Sequence, residues 1–394
     1  LTEITDSIKA SLDKGEYTVG LFIDLKKAFD TVDHKILVDK LGHYGIRGHA
    51  QNFFSSYLHN RKQFVHCNGV DSSVQQIACG VPQGSVLGPI LFLIYVNDIA
   101  NCLNDTNIRL FADDTAAFKS DRNLKTLMVD TAKNIERLKI WFHANKLTLN
   151  LTKTCYSIFH KRTMYVDVQF NTMKAGNTIL HRANEVEYLG LTIDEILSWV
   201  PHVDKIMKSL TRYFSLFYKL RDLIPDKIKR QVYFAYIYSR ISYGIQMYGC
   251  AADRVINKLQ TISNKLLKVF LKRDRMYSTS QLHKELNILK IKDIYEKNVI
   301  LFVFRCLRND CIPVFESYYT FRCDIHGLNT RDKYLVNIPR CESVLGSTSV
   351  ANQGAILWNK LPRYIREMKN EPKFKRELTK YKMNRYMKNL ANIE

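Results

Sequence analysis

Ile108-Arg109-Leu110-Phe111-Ala112-Asp113-Asp114-Thr115-Ala116-Ala117-Phe118 is an apolar stretch broken at its centre by two acids. Its flanks are of strand type and Asp113-Asp114 suits a tight turn, so the segment predicts two strands joined end to end. Upstream, the apolar run Val19 to Ile23 predicts a buried strand and closes on a third acid, Asp24. A buried carboxylate is costly unless a cation pairs with it, and the only basic neighbours in sequence are Lys26 and Lys27. Two readings of these residues stand side by side. In one, Asp113-Asp114 is an exposed hairpin turn and Asp24 a helix cap. In the other, the strands are neighbours in one sheet, the carboxylates converge and repel, and hard divalent cations relieve them. Two Mg²⁺ ions about 4 Å apart would then align an attacking and a leaving oxygen on phosphorus.

Around this centre the pattern alternates between helix and strand. Leu1, Ile4, Ile8 and Leu12 recur at helical spacing before Gly15. A helix is expected from Asp33 with Ile36, Leu37 and Leu41 on one face, then an aromatic helix around Phe53, Phe54 and Tyr57. Phe64 to Ile77, interrupted by Asn68-Gly69, predicts a hairpin. A glycine-rich turn at Cys79 to Pro89 and an apolar helix to Ile99 follow. Leu124, Leu127, Met128, Ile135, Leu138 and Trp141 predict a long amphipathic helix, with strand-like runs at Leu147 to Leu149, Tyr156 to Phe159 and Tyr188 to Ile193. Beyond Pro201 the pattern turns helical and basic to about residue 310, thins over 311–350, and ends in a basic helix after Pro372.

The chain has 394 residues, 46% of them apolar, which is enough for two or three domains and excludes collagen-like, disulfide-scaffold and disordered classes. Its net charge of +21 is unevenly placed. Residues 1–200 carry 22 basic and 21 acidic side chains, whereas residues 201–394 carry 37 and 17. A near-neutral half suited to chemistry is thus followed by a strongly cationic half suited to a polyanion. The longest apolar run, Ile90 to Val96, is far short of a membrane span. Nine scattered cysteines without a CxxC predict reduced thiols. A chain without membrane contact, in nucleus and cytoplasm, is the expectation. Residue 1 is Leu, which suggests a fragment.

Three strings, taken in order, carry a resemblance: Leu21-Phe22-Ile23-Asp24-Leu25-Lys26-Lys27-Ala28-Phe29-Asp30, then Gly80-Val81-Pro82-Gln83-Gly84-Ser85-Val86-Leu87-Gly88-Pro89, then Phe111-Ala112-Asp113-Asp114. Together they resemble the palm motifs of reverse transcriptases, most nearly those of non-LTR (LINE-type) retrotransposons. The resemblance implies an α+β right-hand polymerase: a palm of antiparallel sheet and packed helices with partial fingers over 1–195, a helical basic thumb over 196–310, and a basic C-terminal region over 311–394. It implies RNA-directed DNA synthesis by two-metal phosphoryl transfer, with Mg²⁺ as cofactor and Mn²⁺ as substitute. The partners implied are an RNA template, a DNA primer, their RNA–DNA hybrid and deoxynucleoside triphosphates.

Residue by residue, the resemblance makes Asp24, Asp113 and Asp114 the metal-binding carboxylates. Leu25, Phe29, Gln83 and Gly84 would surround the incoming nucleotide, with Phe29 as the ring that leaves no room for a ribose 2′-hydroxyl. Lys153 would neutralise the departing pyrophosphate, and Tyr188, Leu189 and Gly190 would form the hairpin that supports the primer end. Asn329-Thr330-Arg331 and Leu357-Trp358-Asn359-Lys360-Leu361-Pro362 resemble the region that follows the polymerase in such elements. Cys306, Cys311, Cys323 and His326 have a spacing that matches no common zinc site well. Only 23 residues precede Asp24, fewer than the family's fingers need, and no endonuclease precedes the palm. The competing expectation is therefore a catalytically inactive fragment, or a domesticated module that keeps the fold and binds RNA or hybrid.

Overall fold

The structure, a computed structural model, describes residues 1–103, 105–326 and 335–391, so Asn329-Thr330-Arg331 lies outside the described residues. The chain divides into two compact units, residues 16–184 and residues 1–15 with 185–394.

The first unit is built on a four-stranded antiparallel sheet in the order Asn107–Phe111, Asp114–Asp121, Tyr17–Ile23, Cys155–Phe159. Tyr17–Ile23 is an inner strand with almost every residue buried, as its unbroken apolar run predicts. Gly20 lies where a Cβ would come within 2.9 Å of the rings of both Phe118 and Phe159, one from each flanking strand, so only a glycine lets those rings close over the strand. Val19, Leu21 and Ile23 share one core with Leu91, Phe92 and Tyr95 and with Leu127, Ile135 and Leu138. The helix Leu124–Ala144 starts on Asn123, whose side chain accepts from the N–H groups of Lys125 and Thr126. The helix His34–His43 starts on Asp33, which accepts from Ile36 N–H at 3.0 Å. A hairpin over residues 62–76 turns on Asn68 and Gly69, both at positive φ.

Three expectations change. Tyr188 to Ile193 is not one strand: the chain reverses at Leu189-Gly190, and Glu185–Tyr188 pairs with Leu191–Asp194. Leu147 to Leu149 forms no strand; it makes an isolated bridge, Leu25 with Leu149, because the chain only crosses the end of Tyr17–Ile23 there. A hairpin of Thr172–Ala175 with Thr178–His181, turning at Gly176 (φ +55), falls in a segment from which no strand was expected.

The second unit is helical. Its longer helices from residue 200 on are Val200–Thr211, Asp253–Phe270, Ile291–Cys306, Val350–Asn359 and Glu371–Ala391, and the hairpin of Glu185–Tyr188 with Leu191–Asp194 precedes them. Helix Thr2–Asp13 belongs to this unit and ties its late segment in place. The Asp6 carboxylate accepts from the N–H groups of Val350 (2.8 Å) and Ala351 (3.0 Å), Lys9 donates to Thr348 O (2.9 Å), and Asp13 accepts from Ser343 N–H (2.7 Å). Ile300, Val303 and Phe304 pack with Trp358, Phe374 and Leu378 in a core whose centre is ring stacking, Phe304 on Phe374 at 4.2 Å. Among the described residues no helix is long and apolar enough to cross a membrane. All nine cysteines are unbridged.

Candidate active site

Sheet register decides the site. Tyr17–Ile23 pairs antiparallel with Asp114–Asp121, with Ile23 opposite Thr115. One step further along that register sets Asp24 beside Asp114. Asn107–Phe111 and Asp114–Asp121 close a two-residue turn at Ala112-Asp113, with Phe111 paired to Asp114. The expected turn is therefore shifted by one residue, to Ala112-Asp113, with Asp114 the first residue of the returning strand; Asp24 caps no helix and stands at the end of the strand paired with that one. Ala112 holds φ +51, a left-handed conformation that a residue with a Cβ adopts at a cost.

The three carboxylates act on one another. Asp114 is held above the ordinary aspartate range, first by desolvation and then by the charges of Asp113 and Asp24. Asp24 is turned to the segment Asn150 to Thr154. Its Oδ2 accepts from Asn150 Nδ2 at 2.8 Å and lies 3.9 Å from Lys153 Nζ. Its backbone is held too: Asn150 N–H donates to Asp24 O at 2.9 Å, and Asp24 N–H donates to Thr154 Oγ1 at 3.3 Å. Lys26 N–H adds a bond to Thr148 O at 2.9 Å. The donor chemistry fits a hard divalent cation, with carboxylate oxygens on adjacent strand ends and a repulsion that a cation would relieve. Among the described residues no three His, Cys, Asp or Glu side chains form a group able to hold a metal.

A second loop closes on the same region. Gly80 N–H donates to Val32 O and Val81 N–H to Phe29 O, each at 2.8 Å. Gly80 has φ +91, and a Cβ there would meet the Asp30 carbonyl oxygen at 2.8 Å, so this close approach requires glycine. Gln83 Nε2 donates to Asp30 Oδ1 at 2.8 Å. Gly84, at φ +80, has open space where a Cβ would stand. Phe29 is half-buried and stacks on Phe92 at 4.5 Å, which fixes the plane of its ring. The Leu25 side chain is in the core, so its backbone is the part left to face a ligand.

Asp24, Leu25, Phe29, Gln83, Gly84, Asp113, Asp114 and Lys153 thus all lie in the sheet unit, whereas Tyr188, Leu189 and Gly190 lie in the helical unit. These three form a hairpin end: Tyr188 pairs with Leu191, and Leu189 (φ +47) and Gly190 (φ +77) make the turn. Tyr243 Oη donates to Leu189 O at 2.6 Å and pins it. Asn150, Thr154 and Asp30 escaped the sequence reading as site residues. Asn150 and Thr154 stand within three residues of Lys153, but what they touch is more than 120 positions away. Of the four residues considered for zinc, Cys306 is buried in the apolar core, its thiol pushed up by desolvation and by Cys311. Cys323 Sγ donates to Asp324 Oδ1 at 3.4 Å, and the His326 side chain lies outside the described residues.

Residues 2–193 match the family described as reverse transcriptase (RNA-dependent DNA polymerase). The chain is 27% identical over 302 residues to the RNA-directed DNA polymerase from mobile element jockey of Drosophila melanogaster, covering 72% of this chain and 31% of that protein. It is also 27% identical over 330 residues to the probable RNA-directed DNA polymerase from transposon BS of the same species, covering 78% and 35%. The chain spans about a third of the length of these relatives. A solved structure of apo telomerase from Candida tropicalis aligns over 80% of this chain and 56% of that one, at 13% identity and a TM-score of 0.35.

Proposed function

Residues 2–193 belong to the reverse transcriptase (RNA-dependent DNA polymerase) family, and from that premise we propose that this chain is the polymerase part of a non-LTR retrotransposon protein. Its reaction is the copying of RNA into DNA. The observation that carries the proposal is the pairing of Ile23 with Thr115, which brings the end of the Asp24 strand to the start of the strand at Asp114.

In this reading Asp24, Asp113 and Asp114 hold two Mg²⁺ ions, Mn²⁺ serving as a substitute. When bound, the ions supply positive charge to an attacking primer 3′-hydroxyl and to a departing pyrophosphate. Phe29, held flat on Phe92, excludes a ribose 2′-hydroxyl. Gln83 and the open face at Gly84 receive the incoming deoxynucleoside triphosphate, with the Gly80 loop locked against Asp30 behind them. Lys153, now beside Asp24, is placed to follow negative charge as it develops on the leaving group. Residues 1–195, of which 16–184 form the sheet unit, serve as palm with partial fingers, residues 196–310 as thumb and 311–394 as a basic C-terminal region. The cationic second half holds the RNA template, DNA primer and their hybrid through backbone phosphates.

Primer extension on poly(rA) with oligo(dT), dTTP and Mg²⁺ tests the proposal. Incorporation by the chain that Asp113→Asn abolishes, with hybrid binding kept within a few fold, is the expected result. A second reading, a non-catalytic hybrid-binding module, is favoured by the engagement of Asp24 with Asn150 and Lys153. Tight, salt-sensitive hybrid binding with no incorporation in Mg²⁺ or Mn²⁺ would select it.

A further inference from the structure

Lys9, on helix Thr2–Asp13, is 1% exposed, and a lysine is almost never that buried unless its ammonium is paired. Its Nζ donates to Thr348 O at 2.9 Å and to Cys250 Sγ at 3.4 Å, and neither acceptor is a carboxylate. Cys250 follows the short helix Ile245–Tyr248 and stands 241 positions from Lys9, so the tertiary fold of the helical unit makes the contact. The Cys250 thiol in turn donates to Met247 O at 3.0 Å. Thr348 therefore fixes the nitrogen and Met247 the sulfur. Their separation falls within the roughly 3–3.5 Å from which two oriented atoms react as neighbours instead of as encountering molecules.

The surroundings single out sulfur as the atom that changes first. Cys250 is partly exposed and Lys9 is not, so a small oxidant from solvent meets the cysteine before the lysine. Tyr295 packs so closely on Gly249, the residue before Cys250, that a Cβ there has no room. Tyr295 is buried and its hydroxyl has no hydrogen-bond partner. Burial, then the charge of Cys250, pushes that hydroxyl up and keeps it a donor. An unmet donor near a thiol is unusual in a folded interior and suits the oxygen that oxidation places on sulfur.

We propose that Lys9 and Cys250 form a redox-reversible covalent site that locks helix Thr2–Asp13 to the segment after Tyr248. The oxidant is a peroxide. In the first step the Cys250 sulfur takes one peroxide oxygen as the O–O bond breaks; sulfur is oxidised to the sulfenic acid, and the peroxide is reduced, to water in the case of hydrogen peroxide. In the second, Lys9 Nζ attacks Sγ, the N–S bond forms and the S–O bond breaks. One proton of the former ammonium leaves with the hydroxide as water and another is released, which gives a sulfenamide. A thiol reductant reverses the link and restores both side chains. A cross-link between positions so far apart constrains the unfolded chain, so the oxidised protein is the more resistant to denaturant. None of this depends on reading the chain as a polymerase.

Treatment of the full chain with hydrogen peroxide, followed by peptide mapping without reduction, tests the proposal. The expected product is a peptide joined through Lys9 and Cys250, lighter by two hydrogens than its two parts and released by dithiothreitol. The urea midpoint rises with the link and returns on reduction, and Cys250→Ser abolishes both effects. Lys9→Gln, whose amide still donates to Thr348, leaves Cys250 as a sulfenic acid trapped by dimedone, with folding checked by circular dichroism. Four results overturn the proposal without calling on the lysine variant. These are wild-type Cys250 recovered as sulfenic or sulfinic acid without the link, a link that retains oxygen, a urea midpoint no higher than that of oxidised Cys250→Ser, and Cys250 still a thiol at peroxide concentrations that oxidise the exposed Cys67 and Cys79.

Discussion

Asp24 is held by a neighbour that bears no charge. Asn150 holds the aspartate's backbone oxygen and one carboxylate oxygen at once, which leaves Oδ1 as the atom whose direction is set but not used. Asn150→Ala removes the side-chain bond while the backbone bond stays. Loss of such a partner beneath a ligating group typically costs about 10–100-fold. The expected outcome is a fall of that size in kcat for primer extension with the nucleotide KM nearly unchanged, read from steady-state kinetics; a change in KM alone would place Asn150 elsewhere in the reaction. Phe29 is a second single-residue case. Its stacking on Phe92 fixes the ring, and Phe29→Ala opens the space without touching a charge. Incorporation of ribonucleotides by that variant, compared with deoxynucleotides on one template, is expected, and unchanged sugar selectivity would remove the residue from that role.

Among elements, helix Thr2–Asp13 has the most consequence for its length. Three of its polar side chains, Asp6, Lys9 and Asp13, bond to residues 343–351, and Asp6 satisfies the first N–H groups of the helix Val350–Asn359. Those donors have no intrahelical partner, so their loss is not absorbed locally. Asp6→Ala is expected to destabilise the helical unit by about 2 kcal/mol, and Asp6→Asn by less because an acceptor remains. Urea denaturation and the rate of proteolysis within 335–349 measure both. This helix was legible as a helix, from apolar residues at four-residue spacing. Its partner was not, because the polar face that makes the bonds has no periodic signature and the bonded segment lies more than 320 positions away. The hairpin at Thr172–His181 went unread for a related reason: its strands are only four residues long and alternate buried with exposed, too short to establish a period.

At the scale of the molecule, acid is expected to weaken the helical unit first through two buried imidazoles. Burial pushes both His202 and His283 down to about 4, against about 6.5 in an unfolded chain. Between those values the unfolded state binds more protons than the folded one, so stability is present above about pH 6.5 and is lost as pH falls toward 4, by at most about 1.4 kcal/mol per pH unit for each histidine. Asp6 opposes this: burial holds its carboxyl above the ordinary range, so protonation there favours the folded state. Melting temperature followed from pH 7 to 4.5 should fall, and fall less steeply in His283→Gln; a flat profile would contradict the buried neutral rings. By itself the sequence determined that an apolar strand ends on Asp24, that a hairpin turns next to the acid pair Asp113-Asp114, that glycines punctuate the Gly80 to Gly88 loop, and that positive charge gathers after residue 200. All of these are local properties, written in hydrophobic period, turn chemistry and composition. Only the tertiary structure decided that the Asp24 strand pairs with the strand beginning at Asp114, that Asn150 and Lys153 meet the Asp24 carboxylate, and that His202 Nε2 is buried without a hydrogen-bond partner. Each of these depends on which distant segment occupies the space next to a residue, and burial periodicity specifies that a face is covered without specifying by what.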